Sequence, residues 1–219
     1  MIKIENVDVH GIARAVYSAR NAMNSWDKSD SNLEKDILGN ADLQLAKKLV
    51  KAGTDHSKFM RMITVIFDIT APMYWLKEAA TYKVGTVRNS CSTMHTIHKK
   101  EFTLDDFSHD KLLFTATKSL ERTIKELNEW RDIYLNGGQV QSDIYDTSVY
   151  VFNPKDKMVW WQMIQLLPSS YNQKSTVQLN YAVLRNIYHS RKAHKLDEWR
   201  DFCKWIESLP YSELITVEW

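Results

Sequence analysis

Residues 167–191, LPSSYNQKSTVQLNYAVLRNIYHSR, constrain the fold of this chain more than any other stretch. They read as a leucine-proline corner followed by a helix, with Asn180, Asn186 and Arg191 set into an otherwise apolar pattern. Asn180 and Arg191 stand eleven residues apart, about three helical turns at ~3.6 residues per turn, which places them on nearly one face. Val183, Leu184 and Ile187 share that face, so the spacing predicts that it turns inward. An amide and a guanidinium in an apolar stripe need hydrogen-bond partners, because burying them unpaired costs several kcal/mol. Either a bound ligand or another part of the protein supplies them.

A chain of 219 residues has room for one substantial core and predicts a single domain over 1–219. Hydrophobic residues make up 44% and charged residues 26%, the balance of an ordinary globular protein. A formal net charge of +2 gives no strong steering toward nucleic acid or anionic membrane. No basic stripe with interleaved aromatics argues for nucleic-acid binding. The eight Trp and ten Tyr exceed what a small core needs and point to aromatic-lined pockets or a subunit interface. Cys91 and Cys203 are too few for a disulfide framework, which fits a reducing compartment. No signal peptide opens the sequence, and no apolar run approaches the ~20 residues of a membrane helix. The expectation is a cytoplasmic protein.

Along the chain, residues 2–9 read as a strand, and Asp8 as the cap of a helix through Ile12, Ala15, Val16 and Ala19. Residues 24–32 read as an exposed loop, and a second helix carrying Leu43, Leu45, Leu49 and Val50 stops at Gly53. Residues 60–70, MRMITVIFDIT, are rich in β-branched side chains and predict a central strand, ended by Ala71-Pro72 ahead of a helix with Met73, Trp75 and Leu76. Residues 82–98 look like a loop. A long helix starting near Thr103 or Asp110 closes at Asn136-Gly137-Gly138. A short strand at 148–151, a buried helix at 158–167, and a last amphipathic helix at 197–209 complete the reading. The economical fold class is α+β: a helix-dominated domain with a small, mostly antiparallel sheet.

Several constellations have a plain structural reading. His95 and His98 form an H-x-x-H pair with no third ligand at metal spacing, which favours a surface or loop pair. Ser57, Ser92 and Cys91 lack the local context that activates a nucleophile. Gly53 and Gly85 stand alone and build no phosphate-cradling loop. The turn Gly53-Thr54-Asp55-His56-Ser57 lies between a helix and a strand, where loops often present polar groups to a ligand. There His56 is equally a ligand contact or a polar helix end.

Together these pieces resemble the flavin-dependent thymidylate synthases, which methylate dUMP using bound FAD. The likeness runs from the first strand and the helix ending Ala19-Arg20, through Gly53, His56-Ser57 and the strand of residues 63–70, to residues 75–93. It is best at Leu167-Pro168, with Asn180, Leu184, Asn186 and Arg191 at the family's spacing. The chain also looks like divergent relatives found in phages and prophages of Gram-positive bacteria. The resemblance implies Asn180 and Asn186 facing the flavin and His56 and Ser57 by its adenine or pyrophosphate end. It further implies Arg191 on the dUMP base near the reacting carbon, with Lys83, Thr86, Arg88 and Ser90 near the phosphate. It implies homotetramers with active sites built across subunits, and NADPH and methylene-tetrahydrofolate as co-substrates only if the family chemistry is retained.

The departures are large. The family signature R-H-R-x-x-S-x-N-E-x-S-x-R aligns with residues 81–93, TYKVGTVRNSCST, where only Lys83 and Thr86 are similar. Ile164 stands near the place of the family's phosphate-binding arginine, and Ala182 replaces an arginine on the late helix. Each lost arginine removes a charge-assisted contact on the order of 1.5–3 kcal/mol. Lys83, Arg88 and Lys77 substitute in part, the two lysines as point charges rather than forks. The resemblance thus implies a thymidylate-synthase-like, FAD-dependent methyltransferase acting on a pyrimidine nucleotide. The alternative is a catalytically inactive nucleotide- or flavin-binding or phage–host interaction protein on the same scaffold.

Overall fold

The structure is a computed structural model and describes residues 2–143 and 146–218. In chain order its elements are β1 (Lys3–His10), α1 (Ile12–Ala19), α2 (Asn40–Lys51), β2 (Thr64–Pro72), α3 (Met73–Ala79), β3 (Val87–Ser90), α4 (Thr93–Thr96) and α5 (Phe114–Asn136). They continue with β4 (Gly138–Asp143), β5 (Asp146–Phe152), α6 (Lys157–Leu166), β6 (Asn172–Asn180), α7 (Tyr181–Arg191), α8 (Asp197–Glu207) and α9 (Glu213–Thr216). The expected class holds: helices dominate, and the sheets are small. The chain forms two compact units, one made of Met1–Thr70, Lys77–Asn89 and Lys174–Trp219, the other of Ala71–Leu76 and Ser90–Gln173.

The first unit is built on a four-stranded sheet in the order β1-β2-β6-β3, with β1 and β2 antiparallel and Val9 opposite Val65. Alternation along β2 sends Val65, Phe67 and Ile69 to the buried face, and along β6 it sends Ser175, Val177 and Leu179 there. Phe67 meets Trp205 at a ring separation of 4.6 Å and Phe202 at 6.0 Å, which seats α8 on the sheet. Asp68 takes the opposite face, where it accepts from Thr176 Oγ1 at 2.6 Å and Asn6 Nδ2 at 2.9 Å. Those bonds, with Lys174 beside them, hold its carboxyl down at about 2.

Long-range carboxylates tie the helices of this unit together. Asp8 does not cap α1. Gly11 occupies that position, and Asp36, twenty-five residues further on, accepts from the backbone N–H of Gly11 (2.7 Å), Ile12 (3.1 Å) and Ala13 (2.7 Å). Asp30 does the same for α2 through Ala41 and Asp42, which draws its carboxyl below the ordinary value. Asp42 itself is fully buried. It accepts from Arg20 Nε at 2.6 Å, Ser29 Oγ at 2.6 Å and Ser31 Oγ at 2.5 Å, so residues 24–32 are fastened to the helix pair rather than merely exposed.

The second unit packs α5 on α6 around Ile97, Phe102, Phe107, Leu120, Ile124, Leu127 and Met163. Asn128 on α5 exchanges two hydrogen bonds with the backbone of Phe102, at 2.8 and 2.9 Å. The long helix begins at Phe114, not at Thr103 or Asp110. Thr103 instead forms a capping box with Asp106 over a short 3₁₀ turn. The strand read at 148–151 is the middle of β5, which pairs antiparallel with β4. The leucine-proline corner has a definite task here. The carbonyls of Tyr171 and Ser169 accept from the N–H groups of Met73 and Tyr74 at 3.0 Å each, and so cap the start of α3.

Three further expectations need correction. The central strand starts at Thr64, because Lys58–Met62 form a 3₁₀ turn. Residues 82–98 contain β3 and α4. The corner is followed by the strand β6, not directly by a helix.

Candidate functional site

The site grows from the junction of β6 and α7. Asn180 ends the strand with extended backbone and becomes the N-cap of α7, its Oδ1 accepting from Val183 N–H at 3.0 Å. Its amide nitrogen faces the turn after α3. A Cβ placed on Gly85 would sit 2.9 Å from Asn180 Nδ2 and 3.4 Å from Val183 Cγ2, and Gly85 has φ +77°. Only glycine suits both the backbone and the close approach. The next residue, Thr86, has its hydroxyl buried with no hydrogen-bond partner among the described residues. Lys83 and Arg88 flank this turn and are exposed, and Ser90 closes β3.

Arg191, at the last turn of α7, anchors a second cluster. Its Nε donates to Tyr82 Oη at 2.8 Å and its Nη1 to Glu78 Oε2 at 3.3 Å. The guanidinium carbon lies 4.8 Å from the Trp199 ring centroid and 5.6 Å from that of Tyr82, within cation–π range of both rings. Glu78 Oε2 also accepts from Trp199 Nε1 at 2.9 Å, and His194 Nε2 stands 3.7 Å away. His194 Nδ1 accepts from Leu196 N–H, so the neutral ring carries its proton on Nε2, toward Glu78. The result is an arginine with fixed direction on an aromatic floor.

The expected face of the late helix is rotated. Tyr181, Leu184, Arg185 and Ile187 are buried, whereas Asn186 is exposed and accepts from Ser190 Oγ at 3.4 Å. Arg185, which the sequence reading passed over, is the arginine that goes inside. It donates to the carbonyl of Ile215 at 3.0 Å and fixes α9. Ser57 is buried and donates to the carbonyl of Gly53 at 3.0 Å, while His56 beside it is exposed. Among the described residues neither is bonded to the Arg191 cluster. The structure thus brings Asn180 to Gly85, the chain neighbour of Thr86, and Arg191 to Glu78 and Tyr82. Glu78, Tyr82, His194 and Trp199 were not anticipated. Tyr82, in the place of the signature histidine, was the available signal.

This helix-dominated α+β fold is shared with solved enzyme structures. The flavin-dependent thymidylate synthase ThyX from Helicobacter pylori complexed with FAD and dUMP superposes with a TM-score of 0.69, at 15% identity over 98% of each chain. A second structure of that enzyme with FAD and dUMP gives 0.69 at 16% identity over 99% of this chain and 98% of the other. The UMP/dUMP methylase PolB from Streptomyces cacaoi bound with 5-Br dUMP gives 0.64 at 13% identity over 99% and 95%. No family model matches the sequence, and no curated protein does. The fold resembles that of the flavin-dependent thymidylate synthases along its whole length. Among the described residues no helix is long and apolar enough to cross a membrane.

Proposed function

We propose that this chain is a thymidylate-synthase-like flavoprotein acting on a pyrimidine nucleotide, by dUMP methylation or a related reaction, with FAD as cofactor. The observation that carries the reading is the end-to-end likeness to enzymes whose structures hold FAD and dUMP. The residues present fit such ligands at two places. Thr86 offers a buried hydroxyl with no hydrogen-bond partner among the described residues, Lys83 and Arg88 on either side of it in sequence are exposed, and Ser90 closes β3, a donor set suited to a phosphate. Asn180 keeps its Nδ2 donors for a flavin edge, since only its Oδ1 is used by the helix cap. Arg191, held by Tyr82 and Glu78, binds the base. His56 and exposed Asn186 complete the flavin set in this reading. Ser57 contributes through the shape of its turn, because its hydroxyl already donates to Gly53.

When bound, FAD supplies the electrons for the reaction, with NADPH as reductant and methylene-tetrahydrofolate as carbon source if the family chemistry is retained. The protein's own part is to orient the pyrimidine through Arg191 and to exclude water from it with Tyr82 and Trp199. Large apolar side chains left exposed at Leu113, Phe114 and Val151 support assembly into a tetramer, which light scattering tests. The purified protein should be yellow or take up added FAD with a visible flavin spectrum, and should oxidise NADPH in a dUMP-dependent way. Colourless protein that fails to take up FAD rejects the reading. A yellow protein without dUMP-dependent oxidation assigns it a different pyrimidine substrate.

A further inference from the structure

The Arg191 cluster contains a carboxylate whose placement the nucleotide reading leaves unexplained. Glu78 directs one oxygen, Oε2, toward Arg191 Nη1, Trp199 Nε1 and His194 Nε2. Its other oxygen, Oε1, has no partner among the described residues. Arg191 is in the same condition: Nε serves Tyr82 and Nη1 serves Glu78, while Nη2 has no partner. Both side chains reach solvent, Glu78 at 39% exposure and Arg191 at 20%. A guanidinium with an unused N–H and a carboxylate with an unused oxygen are therefore joined to each other, Nη1 to Oε2 at 3.3 Å, beside Trp199, one a donor and the other an acceptor.

That pairing has consequences for what can bind. A phosphate at this end would meet the carboxylate's charge, and like charges at close range oppose binding. A neutral planar ring offering an acceptor next to a donor fits both groups at once. Resting on the functional reading above, we propose that Glu78 and Arg191 together read the lactam edge of a uracil-type base, Arg191 donating to a ring carbonyl oxygen and Glu78 accepting the adjacent ring N–H. Trp199 and Tyr82 hold the pair in register. Glu78 is then a specificity-determining residue, and the nucleotide's phosphate lies away from it, toward Thr86 and Lys83.

The test compares dUMP with N3-methyl-dUMP, which lacks the ring N–H, by calorimetry on the full chain loaded with whatever flavin it takes up. A charge-assisted hydrogen bond lost in this way should weaken binding to the wild type about ten- to a hundredfold. Glu78→Ala should weaken dUMP and bring the ratio of the two affinities close to one. Glu78→Gln, which keeps an acceptor oxygen, should recover part of the discrimination. Equal affinity of the wild type for the two nucleotides overturns the inference alone, as does Glu78→Ala that retains the wild-type ratio. Wild type that binds neither nucleotide overturns the functional reading and the inference with it. The wild-type comparison needs no substitution, so a poorly folding variant cannot rescue the idea.

Discussion

Replacing Gly85 by alanine tests whether the turn after α3 is truly built against the cap of α7. Two costs are expected, and a second glycine separates them. Gly53 also has positive φ, at +108°, but a Cβ there meets nothing within 4 Å. Gly53→Ala should therefore show the backbone cost alone, about 1–2 kcal/mol. Gly85→Ala carries a similar backbone cost at φ +77°, and its Cβ would also sit 2.9 Å from Asn180 Nδ2. The amide must turn away, which breaks its bond to Val183 and loses an N-cap of about 1 kcal/mol. The expected total is about 2–3 kcal/mol. Asn180→Ala alone should cost about 1 kcal/mol. In the double variant the cap is already gone, so Gly85→Ala should fall back to the cost seen at Gly53. Urea unfolding of the four proteins and the Gly53→Ala control yields a coupling of about 1 kcal/mol between positions 85 and 180. Strictly additive effects would refute the contact, and a Gly85→Ala no worse than Gly53→Ala would do so more directly.

Other outcomes follow from the same structure. Asp42→Asn should destabilise by about 3–5 kcal/mol, because it leaves the buried Arg20 guanidinium facing a neutral amide; thermal unfolding reads this, and a loss within error of zero would remove the anchoring role of the pair. Asp68 titrates at about 2 against an ordinary 3.8, so its folded pKa is depressed. Its contribution is complete above pH about 4 and disappears as pH falls through about 2. The urea-midpoint difference between wild type and Asp68→Asn should shrink across that window, and a difference independent of pH would refute the assignment. Arg191→Ala should weaken nucleotide binding by about 2–4 kcal/mol, measured by calorimetry; unchanged affinity with lowered thermal stability would make Arg191 a purely structural clamp between α7, Tyr82 and Glu78.

Much of the architecture was legible because its signals are local. The β-branched run before Ala71-Pro72, the glycine pair after Asn136 and the apolar stripe of α8 each lie within one element, and each is found within a few residues of its expected place. The helix caps were illegible for the opposite reason. A rule that looks for Asp or Ser at the first turn chooses Asp8, whereas the groups that serve α1 and α2 are Asp36 and Asp30, brought there by a loop with its own fold. No periodicity encodes such a partner. The capping of α3 by the carbonyls of the leucine-proline corner is equally remote in sequence.

The late helix shows how one misplaced boundary changes a site. Ser175, Val177 and Leu179 alternate, a strand signal, and β6 runs through Asn180. Treating Asn180 as helical made it set the inward direction; as the cap, it lies outside the helix and sets nothing. Each residue turns the helix by about 100°, so the face defined by Tyr181, Leu184 and Ile187 admits Arg185 and sends Asn186 to the far side. The two ends of the segment survive this rotation. Asn180 is held by the geometry of the strand-to-helix turn, and Arg191 by Glu78, Tyr82 and Trp199 after the helix has left the core. A binding role confined to those two ends needs no buried polar group in the middle of α7. That frees Arg185 to fasten the carbonyls of α9, and it leaves Glu78 paired with Arg191 at the far end of the helix.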